Sequence, residues 1–538
     1  MRRPLARFFA VLLVAAFCVV GSVRPAKAAV SFTGDVRFGS NGFTLSIGND
    51  LPGAYSVDGG SEDLFEGSIA VGNNSFGTLT VSDPGSVFQA GRMEIGVGAV
   101  GNTFVEAGGA LLLTNDLSIG GSPFSEGSLG SLTVTGRGSV VTSPAFFGSP
   151  SRIEIGSGSL HVLDEGIVDL PSTELIVGIN GEVLLADGLV SLESIDNGGV
   201  LSGTGEFTNP GFTTRGISNS GRIEVAAAQT LSFSRLGDAT NTGDIVIHGG
   251  EINFDTELEN QGFNPQMRGQ IDLRDGVLRT VGGFGSSALE PGLDNFGTLS
   301  STGGLNDVFG PVRNNFGGDI SITNSSTTIF HDEVINDGTI SIMPGSTAVF
   351  LNGLISQQGS TLLANVAGTN DDTGFGVAEV VGAATLSGSL EIGSITGVEP
   401  TLGDEFALLS ASGGVSGDLL LTQAPSPGEG LAWDLAVEAN QVVLSVVAAG
   451  SPGDFNGDGL VNAADYTVWR DNLNATDESA INFAGDGFSG VDVGDYLIWR
   501  ENFGAAASAA VTAPVPEPAS LYCLLAGSLI VCCSRRRV

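Results

Sequence analysis

The chain is poor in positive charge. It has 538 residues but only 21 Lys and Arg, and a single lysine, Lys27. Five of those cations lie in the first 28 positions and three at the end (Arg535, Arg536, Arg537), so Ala29 to Val515 holds 13 basic against 58 acidic residues, a net charge of −45. A surface with that field repels phosphate backbones, which excludes nucleic-acid binding, and it attracts divalent cations. Cysteine is missing from the same stretch: Cys18 lies in an apolar run near the start, and Cys523, Cys532 and Cys533 in another near the end. A disulfide framework, a thiolate zinc site and a cysteine nucleophile are thereby excluded there. Glycine, by contrast, is abundant at 82 residues, and with 41 % hydrophobic and only 15 % charged residues the chain is not a disordered polyanion.

The two ends carry addresses. Arg2, Arg3 and Arg7 precede the apolar run Phe8 to Val20, and Ala26-Lys27-Ala28 supplies a small-x-small cleavage pattern, so residues 1–28 read as a secretory signal peptide. Thirteen apolar residues are too few for a stable bilayer span. Residues 508–538 form a linker and tail. In them Pro516-Glu517-Pro518 precedes a short apolar stretch, Leu521 to Cys533, and the closing arginines. This order resembles the PEP-CTERM sorting signal. The resemblance implies transient insertion in the inner membrane, recognition of Pro516, Glu517 and Pro518 by an exosortase-type processing enzyme, and delivery to the cell envelope, surface or extracellular matrix.

Between these ends the chain repeats itself. Ile69-Ala70-Val71-Gly72, Met93-Glu94-Ile95-Gly96, Leu117-Ser118-Ile119-Gly120, Ile153-Glu154-Ile155-Gly156 and Leu175-Ile176-Val177-Gly178 share one pattern. Each is followed by a second alternating run, such as Gly77-Thr78-Leu79-Thr80-Val81 or Gly130-Ser131-Leu132-Thr133-Val134. Alternation marks half-buried strands and the glycines mark corners. Strands of four or five residues with one apolar face cannot stand alone, and stacking one coil per repeat buries all those faces in one column. The expected fold is therefore all-β: an elongated parallel β-helix, a solenoid of about 17 coils at ~24 residues and ~4.8 Å each, roughly 80 Å long. A string of β-sandwiches is the alternative, but it calls for units of ~100 residues. Farther on, Asn219-Ser220-Gly221, Asn241-Thr242-Gly243, Asn295-Phe296-Gly297 and Asn336-Asp337-Gly338 each open a strand, with Asn and Gly expected at corners of positive φ.

Residues ~65–190 look like the repeat of autotransporter passenger domains and PEP-CTERM proteins. Ala383 to Ile392, Leu402 to Leu409, Gly430 to Asp434 and Val442 to Val446 look like the end of an autotransporter-type β-helix. The resemblance implies β-helix repeats over residues 29–373 and a terminal cap over 374–447. An unpaired last edge needs such closure to avoid self-association.

Residues 448–507 carry a coordination signature. In the stretch from Asp454 to Asp465, oxygen side chains occupy positions 1, 3, 5, 9 and 12 (Asp454, Asn456, Asp458, Asn462, Asp465), Gly459 permits the turn, and the Leu460 carbonyl falls at position 7. That spacing wraps a chain around one Ca2+ ion, which takes six to eight hard oxygen ligands. Tyr466, Trp469 and Leu473 then share a helix face. Thirty residues on, Asp495-Tyr496 and Trp499-Arg500 repeat Asp465-Tyr466 and Trp469-Arg470. The pair resembles a dockerin-type calcium-binding module, a small helical unit of two calcium loops. The second loop departs from the pattern, with Ala484 and Phe488 at positions 1 and 5, leaving Asp486, Asp492 and Asp495. The resemblance also implies a cohesin-like partner, but the positions early in the helices hold Ala463, Ala464, Val493 and Gly494, with no hydroxyl pair.

Nothing in the body makes a positive case for an enzyme. His161, His248 and His331 fall on different coils, and Asp371-Asp372 and His331-Asp332-Glu333 are the dense polar spots. The expectation is a non-catalytic, acidic surface or matrix rod, structural or adhesive, stabilised by calcium and with exopolysaccharide as a partner. The alternative is a polysaccharide-binding or polysaccharide-degrading protein on the same scaffold.

Overall fold

The structure is a computed structural model. It describes residues 29–40, 42–121, 129–143, 150–210, 215–262, 268–281, 292–369, 374–488 and 490–505. The signal segment, Asp371, Asp372 and the Pro516-Glu517-Pro518 motif lie outside these residues. Among the described residues no helix is long and apolar enough to cross a membrane.

The chain winds through a repeating succession of three faces. Face 1 begins at Thr44–Ile47, face 2 at Gly53–Asp58 and face 3 at Glu62–Leu64; the next coil returns to face 1 at Ser68–Val71. On face 1, sixteen strands pair in parallel, each with the next coil's equivalent, from Thr44–Ile47 to Val415–Gly417. The architecture is the expected parallel β-helix, and among the described residues the two α-helices lie at the carboxy-terminal end.

Register follows from the alternation. Gly77–Ser82, Gly101–Glu106 and Gly130–Thr135 bury every second residue and stack one on another without a slip, so Val81, Val105 and Val134 form one column of fully buried side chains. A one-residue slip would turn the whole column outward. Gly72 shows why a corner of the first repeats is glycine: its φ is +73°, and an added Cβ would lie 2.6 Å from backbone atoms of Val100 and Gly101.

The ends differ from the coils, which is why sixteen strands stack on face 1 where simple division gives about 17. Ala29–Gly34 and Val36–Phe38 pair antiparallel with the first strands of faces 2 and 1. At the other end the hairpin Leu431–Val437 and Gln441–Ala448 pairs antiparallel with Glu405–Ala411 and covers the last coil with Trp433.

The Asn-x-Gly corners form for a different reason from the one expected. Asn219, Asn241, Asn295 and Asn336 are fully or almost fully buried, and neither they nor the glycines two places on have positive φ. They belong to a buried amide column on face 1: each Nδ2 of Asn197, Asn219, Asn241, Asn260, Asn295 and Asn314 donates to the Oδ1 of the next, at 2.7–2.8 Å. This column replaces the aliphatic one below it, since Asn197 stacks directly on Val177. The glycines are required by close approach: a Cβ on Gly243 would lie 2.2 Å from the Gly221 carbonyl.

Candidate metal centre of the carboxy-terminal module

Residues 450–505 pack two helices, α1 (Ala463–Asp471) and α2 (Val493–Asn502), over a small core of Phe455, Ile481, Ala484 and Val491. Both helices open on a capping box, Asn462 with Asp465 and Asp492 with Asp495. Contacts between the halves are reciprocal. The Trp469 indole N–H donates to the Asp492 carbonyl at 2.6 Å, and the Trp499 indole N–H donates to the Asn462 carbonyl at 2.8 Å. Tyr466 packs on Trp499 and Trp469 on Tyr496, both with ring centroids 5.2 Å apart. Leu473, expected on the same face, is instead exposed.

The first loop winds its six sequence-identified residues into one hydrogen-bond web. Buried Asp454 accepts from the Asp458 and Gly459 N–H groups at 3.1 and 2.8 Å. Asn456 Oδ1 accepts from the Asp458 N–H at 2.9 Å, and Asp458 Oδ1 accepts from the Leu460 N–H at 2.9 Å. The Leu460 carbonyl accepts from the Asn462 amide at 3.1 Å. Asp465, with no exposed surface, accepts from the Asn456 N–H at 3.0 Å and from the Asn462 N–H at 2.8 Å. All six offer oxygen, the donor chemistry calcium takes.

The second loop repeats this plan at its closing carboxylate. Asp495 accepts from the Asp486 and Asp492 N–H groups at 2.9 and 2.7 Å, the same positions that Asp465 serves. The missing first carboxylate is supplied from outside the loop. Glu478, on the 3-10 turn Glu478–Ile481, turns its Oε1 to the Gly487 and Phe488 N–H groups at 2.6 and 3.1 Å. Donor atoms of Glu478, Asp486 and Asp495 all lie within 4.8 Å of one another, the one such group of three or more metal-ligating side chains among the described residues. Burial, then the Asp495 carboxylate beside it, pushes Glu478 up to about 9, and burial likewise raises Asp486 and Asp495. Three carboxylates so placed call for a proton or a cation between them. Loop spacing gives no hint of Glu478, which lies six residues before position 1.

The histidines remain apart. His248 Nε2 is 3.2 Å from Asp272 Oδ2, and His331 Nε2 is 2.6 Å from Asp307 Oδ1, with the His331 ring stacked on Phe309. Asp332 Oδ2 accepts from the Gly310 N–H at 2.9 Å, so this polar spot is spent on holding a corner.

Fold and site together define a parallel β-helix with an appended two-helix, two-loop module. No family model matches the chain, and no curated protein does. Among solved structures it is similar to the TibC-catalyzed hyper-glycosylated TibA55-350 fragment, with 12 % identity over 70 % of this chain and 94 % of that one, at a TM-score of 0.27, a likeness too low to bear on function.

Proposed function

We propose that the chain is an exported, non-catalytic surface or matrix protein whose acidic β-helix is a rigid, adhesive spacer. The observation that carries this reading is the unbroken stack of sixteen parallel strands on face 1, a shape that sets distance between its two ends. Residues 29–447 hold 11 basic and 48 acidic residues, a net charge of −37 that keeps such rods soluble and apart along their sides. In this reading Ca2+ at Asp454, Asn456, Asp458, Leu460, Asn462 and Asp465 tightens the module that joins rod to tail. Residues 1–28 direct export, an exosortase-type enzyme acts at Pro516-Glu517-Pro518, and the released rod meets the exopolysaccharide. The test replaces Pro516, Glu517 and Pro518 with alanine and follows the protein by cell fractionation. Loss of its normal envelope or matrix position is expected; unchanged placement contradicts the sorting role.

A second reading, polysaccharide binding, is favoured by one feature of face 2. Arg268, Asp319, Ser321, Thr339 and Ser341 line a groove there, with Arg268 donating to the Gly297 and Gly317 carbonyls at 3.0 and 2.6 Å. Phe316, next to Gly317, is 85 % exposed, and an aromatic face beside hydroxyls and a carboxylate suits a sugar ring. The groove offers one carboxylate and not the pair that glycosidic cleavage uses, so it suits binding better than degradation.

A further inference from the structure

The apolar column is closed at one end and open at the other. At the carboxy-terminal end Trp433, on the last hairpin, is buried against Phe406. At the amino-terminal end Phe32 stands opposite Tyr55 and Phe38 opposite Leu45, and although Tyr55 and Leu45 are buried, the residues above them are not. Val30, Phe32 and Phe38 are 43 %, 57 % and 52 % exposed. Among the described residues nothing lies over them.

The strand that carries two of them is also a bare edge. Among the described residues Ala29–Gly34 pairs on one side only, with Gly53–Asp58. Its sequence, Ala-Val-Ser-Phe-Thr-Gly, has neither a charge nor a proline, the usual protections of an edge. The Asp35 N–H donates to the Pro52 carbonyl at 3.1 Å, so by antiparallel alternation residues 33, 31 and 29 turn their backbone groups toward 53–58, while Phe32 and Val30 turn theirs outward.

We propose that this end is a homodimer interface at which two copies meet end to end, their Ala29–Gly34 strands pairing antiparallel across a two-fold axis. Charge selects a second copy at this place. The rod's flanks repel their like, whereas residues 29–47 carry only Asp35 and Arg37, which pair with each other at 2.8 Å. A two-fold axis brings each free edge to an identical free edge and covers each exposed phenylalanine with apolar surface, an isologous contact that closes on itself. The inference rests on the export reading, in which residues 1–28 are removed and Ala29 becomes the first residue. The doubled rod would carry its two modules at opposite ends, a connector between two surfaces.

The test uses the exported chain recovered from producing cells. Intact-mass measurement reads its first residue, light scattering its mass in solution, and small-angle scattering its length. The expected result is a chain starting at Ala29, at twice the chain mass, and about twice as long as one rod. Phe32→Asp and Val30→Pro should each restore the single-chain mass. Val30→Pro removes only an outward N–H, so it carries the test if Phe32→Asp disturbs the circular dichroism. A single-mass chain starting at Ala29 overturns the interface alone, and one that keeps residues 1–28 overturns the export reading with it. A dimer no longer than one rod, or one that survives both substitutions, also overturns the proposal.

Discussion

Asn336 lies directly beneath Ser356 in the face 1 stack, and the Nδ2 of the one and the hydroxyl of the other are both buried without a partner. The amide column that begins at Asn197 thus stops one coil short. Ser356→Asn should extend it, giving the orphaned Asn336 donor an acceptor and raising stability by about 1 kcal/mol. Denaturant unfolding checks this; a lower midpoint would show that the corner has no room for the amide.

Within the column the cost runs the other way. Asn260→Leu takes the Oδ1 acceptor from the Asn241 Nδ2, which keeps only the Gly243 and Gln270 carbonyls, and takes the Nδ2 donor from the buried Asn295 Oδ1. A loss of about 1–3 kcal/mol is expected, more than for a leucine placed on the outer face, because a buried acceptor that loses its donor keeps its desolvation cost.

At the open end the Tyr55 hydroxyl donates to Asp63 Oδ2 at 2.6 Å. Burial first, then this bond and the carboxylate charge, raise the Tyr55 pKa above its ordinary value. A group whose folded pKa exceeds its unfolded one, about 10 for tyrosine, contributes stability that is intact below that pH and lost as pH climbs beyond it. The melting temperature should therefore fall more steeply above about pH 10 in the wild type than in Tyr55→Phe. Parallel curves would contradict the assignment.

How much of this was legible in the sequence depends on which force writes the pattern. Alternation in Gly77–Ser82 and its copies is imposed by burial of one face, and it gave away both strand and stack. Pairing direction leaves no such mark: Ala29–Gly34 alternates apolar and polar residues like a coil strand but runs antiparallel. Asn-x-Gly spells a tight turn and a buried amide ladder in the same letters, and only the stacking of Asn219 on Asn197 separates them. Asp454 to Asp465 was readable because its oxygen-bearing residues follow one another along a loop, whereas Glu478 reaches the second loop through space.

That crowding has its own test. Gln at position 478 keeps an oxygen for the Gly487 and Phe488 N–H groups but removes a charge from the trio with Asp486 and Asp495. In chelator, Glu478→Gln should stabilise the module by about 1 kcal/mol or more. Tryptophan fluorescence of the Trp469 and Trp499 pair follows its melting. Destabilisation in chelator would mean that the three carboxylates do not repel.

Calcium should act on the same signal. Chelation is expected to lower the module's melting temperature, and Asp465→Asn should lower it in calcium as well, because Asp465 both closes the first loop and caps α1. An unchanged melting curve on chelation would remove calcium from the account.

The central claim is that this rod stands outside the cell. Antibody raised against the β-helix, applied to intact and to lysed producing cells, tests it most directly. Strong labelling of intact cells or of the matrix around them, little increased by lysis, is the predicted result; labelling that emerges only after lysis would contradict it.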